Sequence, residues 1–190
     1  KWEEFGAGWW VITFPQSGSQ RHIASPTATA ATTWRVEGRW HVDGSWHTHY
    51  PYSAEVGLVP VMLFSDIQRE GGGTAVIPGS QKDVTRVLLE AGMRGVRGPD
   101  IGEIAIERVR ERERERGGRE REEVVSDGIA DVMEITGEAG DVVFMHPHLL
   151  HARSSNLGAH GKHSIRYMCH PTVVLKNDMD YSIDTIDSFH

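Results

Sequence analysis

The chain has little cysteine, no surplus of positive charge and no long apolar run, and each shortage closes off a class of protein. Its single cysteine, Cys169, excludes an internal disulfide and any cysteine-rich zinc module, and leaves the role of a small buried hydrophobe. With 20 Lys and Arg against 27 Asp and Glu, the formal net charge is -7. Clustered, uncompensated cations, which a phosphate-binding surface requires, are missing, so nucleic acid is not an expected partner. No stretch approaches the roughly 20 apolar residues of a membrane-spanning helix. No signal segment is visible ahead of WWVITFP, so a cytoplasmic location without a membrane partner is expected, although a chain opening at Lys1 leaves room for an upstream portion. Self-similarity at solenoid spacing is also lacking. Nothing in the composition speaks to oligomeric state.

What is present fits one soluble domain, residues 1–190, large enough to bury a substantial core. Trp9 to Phe14 has strand composition and stops at Pro15; residues 16–33 are a small, polar connector. Val56 to Phe64 is an apolar run in which Pro60, lacking an N–H, suits an edge or a bulge. Then come Gly71-Gly72-Gly73 for a tight turn, the strand Ala75 to Ile77 and the turn Pro78-Gly79-Ser80. The triple glycine carries no GxGxxG or P-loop pattern and is not a phosphate cradle. Residues 83–92 (DVTRVLLEAG) predict a short helix, with an Asp start, apolar Val84, Val87 and Leu88, and a closing glycine. The Arg/Glu alternation that follows sets like charges at i,i+4 and opposite charges at i,i+3. Its helix support cancels, and residues 104–123 are expected to be a charged, solvated surface insertion. Further strands are expected at 132–135, 142–145, 164–170 and 172–175. The sum is a mostly-β domain, a sandwich or small barrel, with one or two short helices.

The chemistry-bearing residues concentrate in RWHVDGSWHTHY, residues 39–50, and MHPHLLHARSSN, residues 145–156. Two imidazoles and one carboxylate on one face of a metal form the site of a mononuclear oxygen-activating iron, with three positions left open. On an extended segment, residues i and i+2 project to one side, so His41 and Asp43 can reach one ion together. A carboxylate offsets the charge of a ferrous ion as a second imidazole cannot, which favours His41/Asp43 over His47/His49. The third ligand must come from a distant segment, and His146, His148 and His151 all qualify on position alone. On the predicted strand SIRYMCH, Arg166, Met168 and His170 share one face. An arginine on the interior of a barrel calls for an anion. Arg153 is a second arginine that could receive it.

Taken in order, WHVDG (40–44), GGGTAVIPGSQK (71–82), GDVVFMHPHLLHARSSN (140–156) and the strand arginine at 166 resemble the phytanoyl-CoA dioxygenase (PhyH)-like branch of the Fe(II)- and 2-oxoglutarate-dependent oxygenases. The resemblance spans roughly residues 9–175. It implies a double-stranded β-helix, a cupin-like jelly-roll barrel, with a few short helices and the metal at the open mouth. It also implies Fe(II), 2-oxoglutarate and O2 as cofactor and co-substrates. His41, Asp43 and His151 become the metal ligands and catalytic centre, and Arg166 the residue that binds 2-oxoglutarate. The implied activity is hydroxylation of a small organic substrate with release of succinate and CO2. Helices that members carry ahead of the first strand have no counterpart here. Trp46, His47 and His49 are expected in the loop near the mouth, where they would line the substrate. Two rivals remain: a cupin-like metal enzyme that does not use 2-oxoglutarate, and a non-catalytic β-sandwich binding module. A hydrolytic zinc site is a further possibility, but no general base can be assigned to it.

Overall fold

The computed structural model describes residues 2–5, 8–15, 34–115, 129, 131–158 and 165–179. The connector 16–33 and the later half of the expected insertion, 116–123, lie outside the described residues. The strands are β1 (Trp2–Phe5), β2 (Trp9–Thr13), β3 (Val36–His41), β4 (Thr48–His49), β5 (Val59–Leu63), β6 (Thr74–Val76), β7 (Val96–Arg97), β8 (Met133–Glu134), β9 (Val142–Met145), β10 (His151–Ser154), β11 (Arg166–His170) and β12 (Val173–Leu175). The helices are α1 (Ser80–Ala91) and α2 (Gly98–Glu115).

Two four-stranded antiparallel sheets carry the architecture, one ordered β3-β10-β6-β8 and the other β2-β11-β5-β9. Along the chain, β2, β5, β9 and β11 fall in one sheet while β3, β6, β8 and β10 fall in the other. That strand order is a jelly roll, the double-stranded β-helix. The short pairs β1-β12 and β4-β7 flank it.

The core divides accordingly. Between the sheets lie Val59, Val61, Leu63, Val76, Met145 and Met168, where inward-facing residues of both sheets meet. On the outer face of the β3 sheet, Trp40, Val42, Ala75 and Ile77 pack against Val84, Val87 and Leu88 of α1 and Ile101, Ala105 and Val109 of α2. The opposite sheet leaves Trp10, Ile12, Phe144 and Tyr167 exposed on its outer face.

Three expectations change. The Arg/Glu run through residue 115 is helix, not a solvated insertion: α2 buries Ile101, Ala105 and Val109, one stripe at i,i+4 spacing, and that burial outweighs the indifferent charge pattern. Its arginines also reach α1, Arg112 pairing with Asp83 and Arg108 with Glu90. Gly102 makes the approach possible, because a Cβ there would stand 1.8 Å from the Trp40 carbonyl oxygen of β3. Pro60 sits in β5, an interior strand rather than an edge. The register that pairs Met62 with Cys169 and Leu58 with Val173 puts Pro60 opposite Pro171, so the two missing N–H groups fall at one level of the ladder. Finally, α1 begins at Ser80, three residues before the expected start, after a left-handed Gly79. The Ser80 hydroxyl accepts a hydrogen bond from the Leu150 N–H, joining the helix to the segment that leads into β10.

Candidate metal centre and its cavity

The last residue of β3 and the first of β10 pair directly, His41 with His151. Residues opposite each other in an antiparallel ladder point to the same face, and the two rings stand 4.4 Å apart between centroids. Asp43 follows two residues beyond His41, where the chain turns out of the strand. Gly44 allows that turn: its φ is +99°, and a Cβ would collide with His47 Nε2 at 2.5 Å.

One ligand atom from each of His41, Asp43 and His151 lies within 4.8 Å of the others. Two ligands of one ion can span about 4.2 Å, twice a bond of about 2.1 Å, so a small contraction closes the set. Hydrogen bonds prepare both imidazoles. His41 Nδ1 lies 2.9 Å from the Arg39 carbonyl and His151 Nδ1 3.0 Å from the Leu149 carbonyl, each two residues back in the chain. A carbonyl only accepts, so each Nδ1 carries the proton and each Nε2 keeps its lone pair for a metal. His151 Nε2 is buried without a hydrogen-bond partner among the described residues, 3.5 Å from Asp43 Oδ1. This orphaned acceptor beside a carboxylate fits a divalent cation.

Electrostatics favour the ligating protonation states. Desolvation, and then His151, push the His41 pKa below 6.5. Desolvation acts to raise the Asp43 pKa, but interaction with His151, followed by the charges of His170 and His41, holds it below 3.8. Near neutrality His41 is a neutral imidazole and Asp43 a carboxylate.

The triad lines a cavity of about 290 Å³ whose walls include Trp9, Trp46, Thr74, Arg153, Arg166 and His170. Arg166 is only 2% exposed. One guanidinium nitrogen donates to Thr13 Oγ1 at 2.6 Å, while Nε has no hydrogen-bond partner among the described residues. Among the described residues no carboxylate forms an ion pair with it. Glu134, whose charge acts on Arg166, already accepts hydrogen bonds from the Glu70 and Gly73 N–H groups at 2.6 and 2.7 Å. Desolvation lowers the Arg166 pKa to about 10, which still leaves it charged at neutral pH. A buried cation without a counterion is costly, and an incoming anion relieves that cost.

The other named residues separate. Trp46 lines the cavity; His47 and His49 do not. Those two rings stack 4.0 Å apart, and buried His49 places Nε2 2.8 Å from the Gly44 carbonyl, so the pair buttresses the turn after Asp43. His146 and His148 also stand outside the cavity, His148 Nδ1 lying 2.9 Å from the Thr85 hydroxyl. Arg153 reaches the rim but is largely exposed and faces Glu37 at 3.9 Å, a poorer anion receiver than Arg166. The sequence reading overlooked Trp9 and His170. Alternation along β11 already placed His170 on the face of Arg166, but only the register shows that this strand returns to the level of the triad.

A jelly roll with two imidazoles and a carboxylate gathered at one cavity defines a candidate mononuclear metalloprotein. The family pattern described as phytanoyl-CoA dioxygenase (PhyH) matches residues 16–164, most of the chain, and the protein belongs to that family. Among solved structures it is similar to the non-heme alpha-ketoglutarate-dependent carbocyclase SnoK from nogalamycin biosynthesis, with 16% identity and a TM-score of 0.42, over 95% of this chain and 54% of that one. The chain thus spans about half the length of that structure. No curated protein matches it. No helix among the described residues is long and apolar enough to cross a membrane.

Proposed function

We propose that the protein is an Fe(II)- and 2-oxoglutarate-dependent oxygenase that hydroxylates a small organic substrate, with His41, Asp43 and His151 as iron ligands and Arg166 as the anchor of the far carboxylate of 2-oxoglutarate. The observation that carries this reading is the pairing, in one cavity, of a prepared two-imidazole, one-carboxylate set with a buried arginine that forms no ion pair among the described residues. When bound, Fe(II) supplies the coupling of 2-oxoglutarate decarboxylation to oxygen insertion, giving succinate, CO2 and a hydroxylated product.

The chain's own residues do the positioning. Backbone carbonyls of Arg39 and Leu149 hold the two imidazoles in the ligating tautomer. Arg166 receives a carboxylate with charge-assisted hydrogen bonds worth about 1.5–3 kcal/mol each. Charge balances: ion and guanidinium bring three positive charges, Asp43 and the dicarboxylate three negative. Trp9 and Trp46, 64% and 58% exposed, stand at the mouth, where a substrate would enter between aromatic faces.

The test is succinate formation. Protein supplied with Fe(II), O2 and 2-oxoglutarate is expected to release succinate slowly even without its primary substrate, and to stop when iron is chelated. Metal-dependent turnover indifferent to 2-oxoglutarate would instead support the cupin-like alternative.

A further inference from the structure

On the walls of this cavity three buried atoms have no hydrogen-bond partner among the described residues: His151 Nε2, Arg166 Nε and His170 Nε2. The proposed function employs the first two. The third has no structural duty to explain it, and an unpaired buried polar group costs about 1–3 kcal/mol. His170 is 8% exposed, its ring centroid 6.3 Å from that of His151.

Position along β11 says what His170 meets. Arg166 pairs with Thr13 at one end of β2 and His170 with Trp9 at the other, the exposed end at the cavity mouth. At about 3.3 Å per residue, the two Cα atoms are about 13 Å apart on one face of the strand. Arg166 therefore marks one end of the cavity wall and His170 the level of the triad. A linear dicarboxylate whose far end is held by Arg166 brings its other carboxylate, the one beside the keto group, up to the imidazole of residue 170.

We infer that His170 is a positioning residue for the co-substrate, donating from Nε2 to the metal-end carboxylate of a bound 2-oxo acid. The inference rests on the proposed function, since it needs a 2-oxo acid lying between the triad and Arg166. A carboxylate oxygen only accepts, so the Nε2–H tautomer of the neutral ring is the one it selects. Met168, between the two on the same face, is buried in the core between the sheets and offers no comparable donor.

The experiment is an anaerobic titration of the Fe(II)-loaded protein with 2-oxoglutarate, without primary substrate, following the visible charge-transfer absorption of the chelate. His170→Leu is expected to retain iron but to weaken 2-oxoglutarate binding roughly 10- to 100-fold, the scale of a lost charge-assisted hydrogen bond, and to move the band. His170→Gln, which keeps an N–H donor, is expected to recover most of the affinity, and His170→Asn guards against a variant that does not fold. Unchanged affinity and band in the leucine variant, beside a normal wild-type band, would overturn the role of His170 alone. A wild-type protein that holds iron yet never develops the band would overturn the proposed function itself, and this role with it.

Discussion

The protein holds two groups of histidines within one small region, and they differ in whether a carboxylate and a cavity stand beside their rings. In the first, His41 and His151 give Nδ1 to backbone carbonyls and leave Nε2 free beside Asp43. In the second, His49 places Nε2 against the Gly44 carbonyl and His148 places Nδ1 against the Thr85 hydroxyl; His47 also has Nδ1 against a backbone carbonyl, that of Thr48, and an unpaired Nε2, but it stacks on His49 away from the cavity. The motifs HVD and HTH are six residues apart and equally rich in ligand atoms. Backbone geometry, not composition, gathers one motif with His151 at the cavity and makes the other the support of its turn.

The sharpest way to break the comparison is to remove the carboxylate that distinguishes the groups. Asp43→Ala is expected to abolish turnover and to weaken Fe(II) binding by more than the roughly 100-fold that loss of an outer-shell partner can cost. The double variant His47→Gln/His49→Gln is expected to bind iron within a few-fold of wild type; equilibrium metal titration separates the two. Next in size, Arg166→Leu is expected to keep its iron and lose roughly 100-fold in 2-oxoglutarate affinity, with the metal titration unchanged. Arg153→Leu should leave that affinity nearly intact.

The second group makes a pH-dependent prediction. Desolvation lowers the pKa of His49 to about 4 and that of His148 to about 3, against 6.5 for the unfolded chain. As pH falls below 6.5 the unfolded state takes up protons first, so stability that is full above 6.5 drains away toward pH 4. Thermal unfolding of the metal-free protein is expected to show this slope, and His148→Gln to flatten it. The smallest effect belongs to Thr85→Val, which removes the hydroxyl beside His148: about 1 kcal/mol of stability by denaturant melts, with iron affinity untouched.

Much of the fold was legible because alternation and turn residues act locally. The strand 142–145 and the pattern of β11 followed from side-chain periodicity, and the facing order of the sheets agrees with the family resemblance. What escaped depended on contacts between distant segments. The Arg/Glu run reads as indifferent to helix until Ile101, Ala105 and Val109 meet α1 and Trp40. Pro60 reads as an edge or bulge residue until Pro171 appears opposite it. At the site, the residue types of HVD were visible, as was the arginine of β11. The status of His47 and His49 was not, since their part is decided by a carbonyl at Gly44, and neither was that of His170, whose place depends on where β11 ends relative to the β3-β10 pair.

The central claim is that His41, Asp43 and His151 hold one ferrous ion that 2-oxoglutarate then chelates. Anaerobic iron titration followed by addition of 2-oxoglutarate tests it most directly. One Fe(II) per chain, and a weak visible band that appears only with the keto acid and disappears in His151→Ala, is the result predicted. An iron site that survives the loss of His151, or a loaded protein that stays colourless with 2-oxoglutarate, would contradict it.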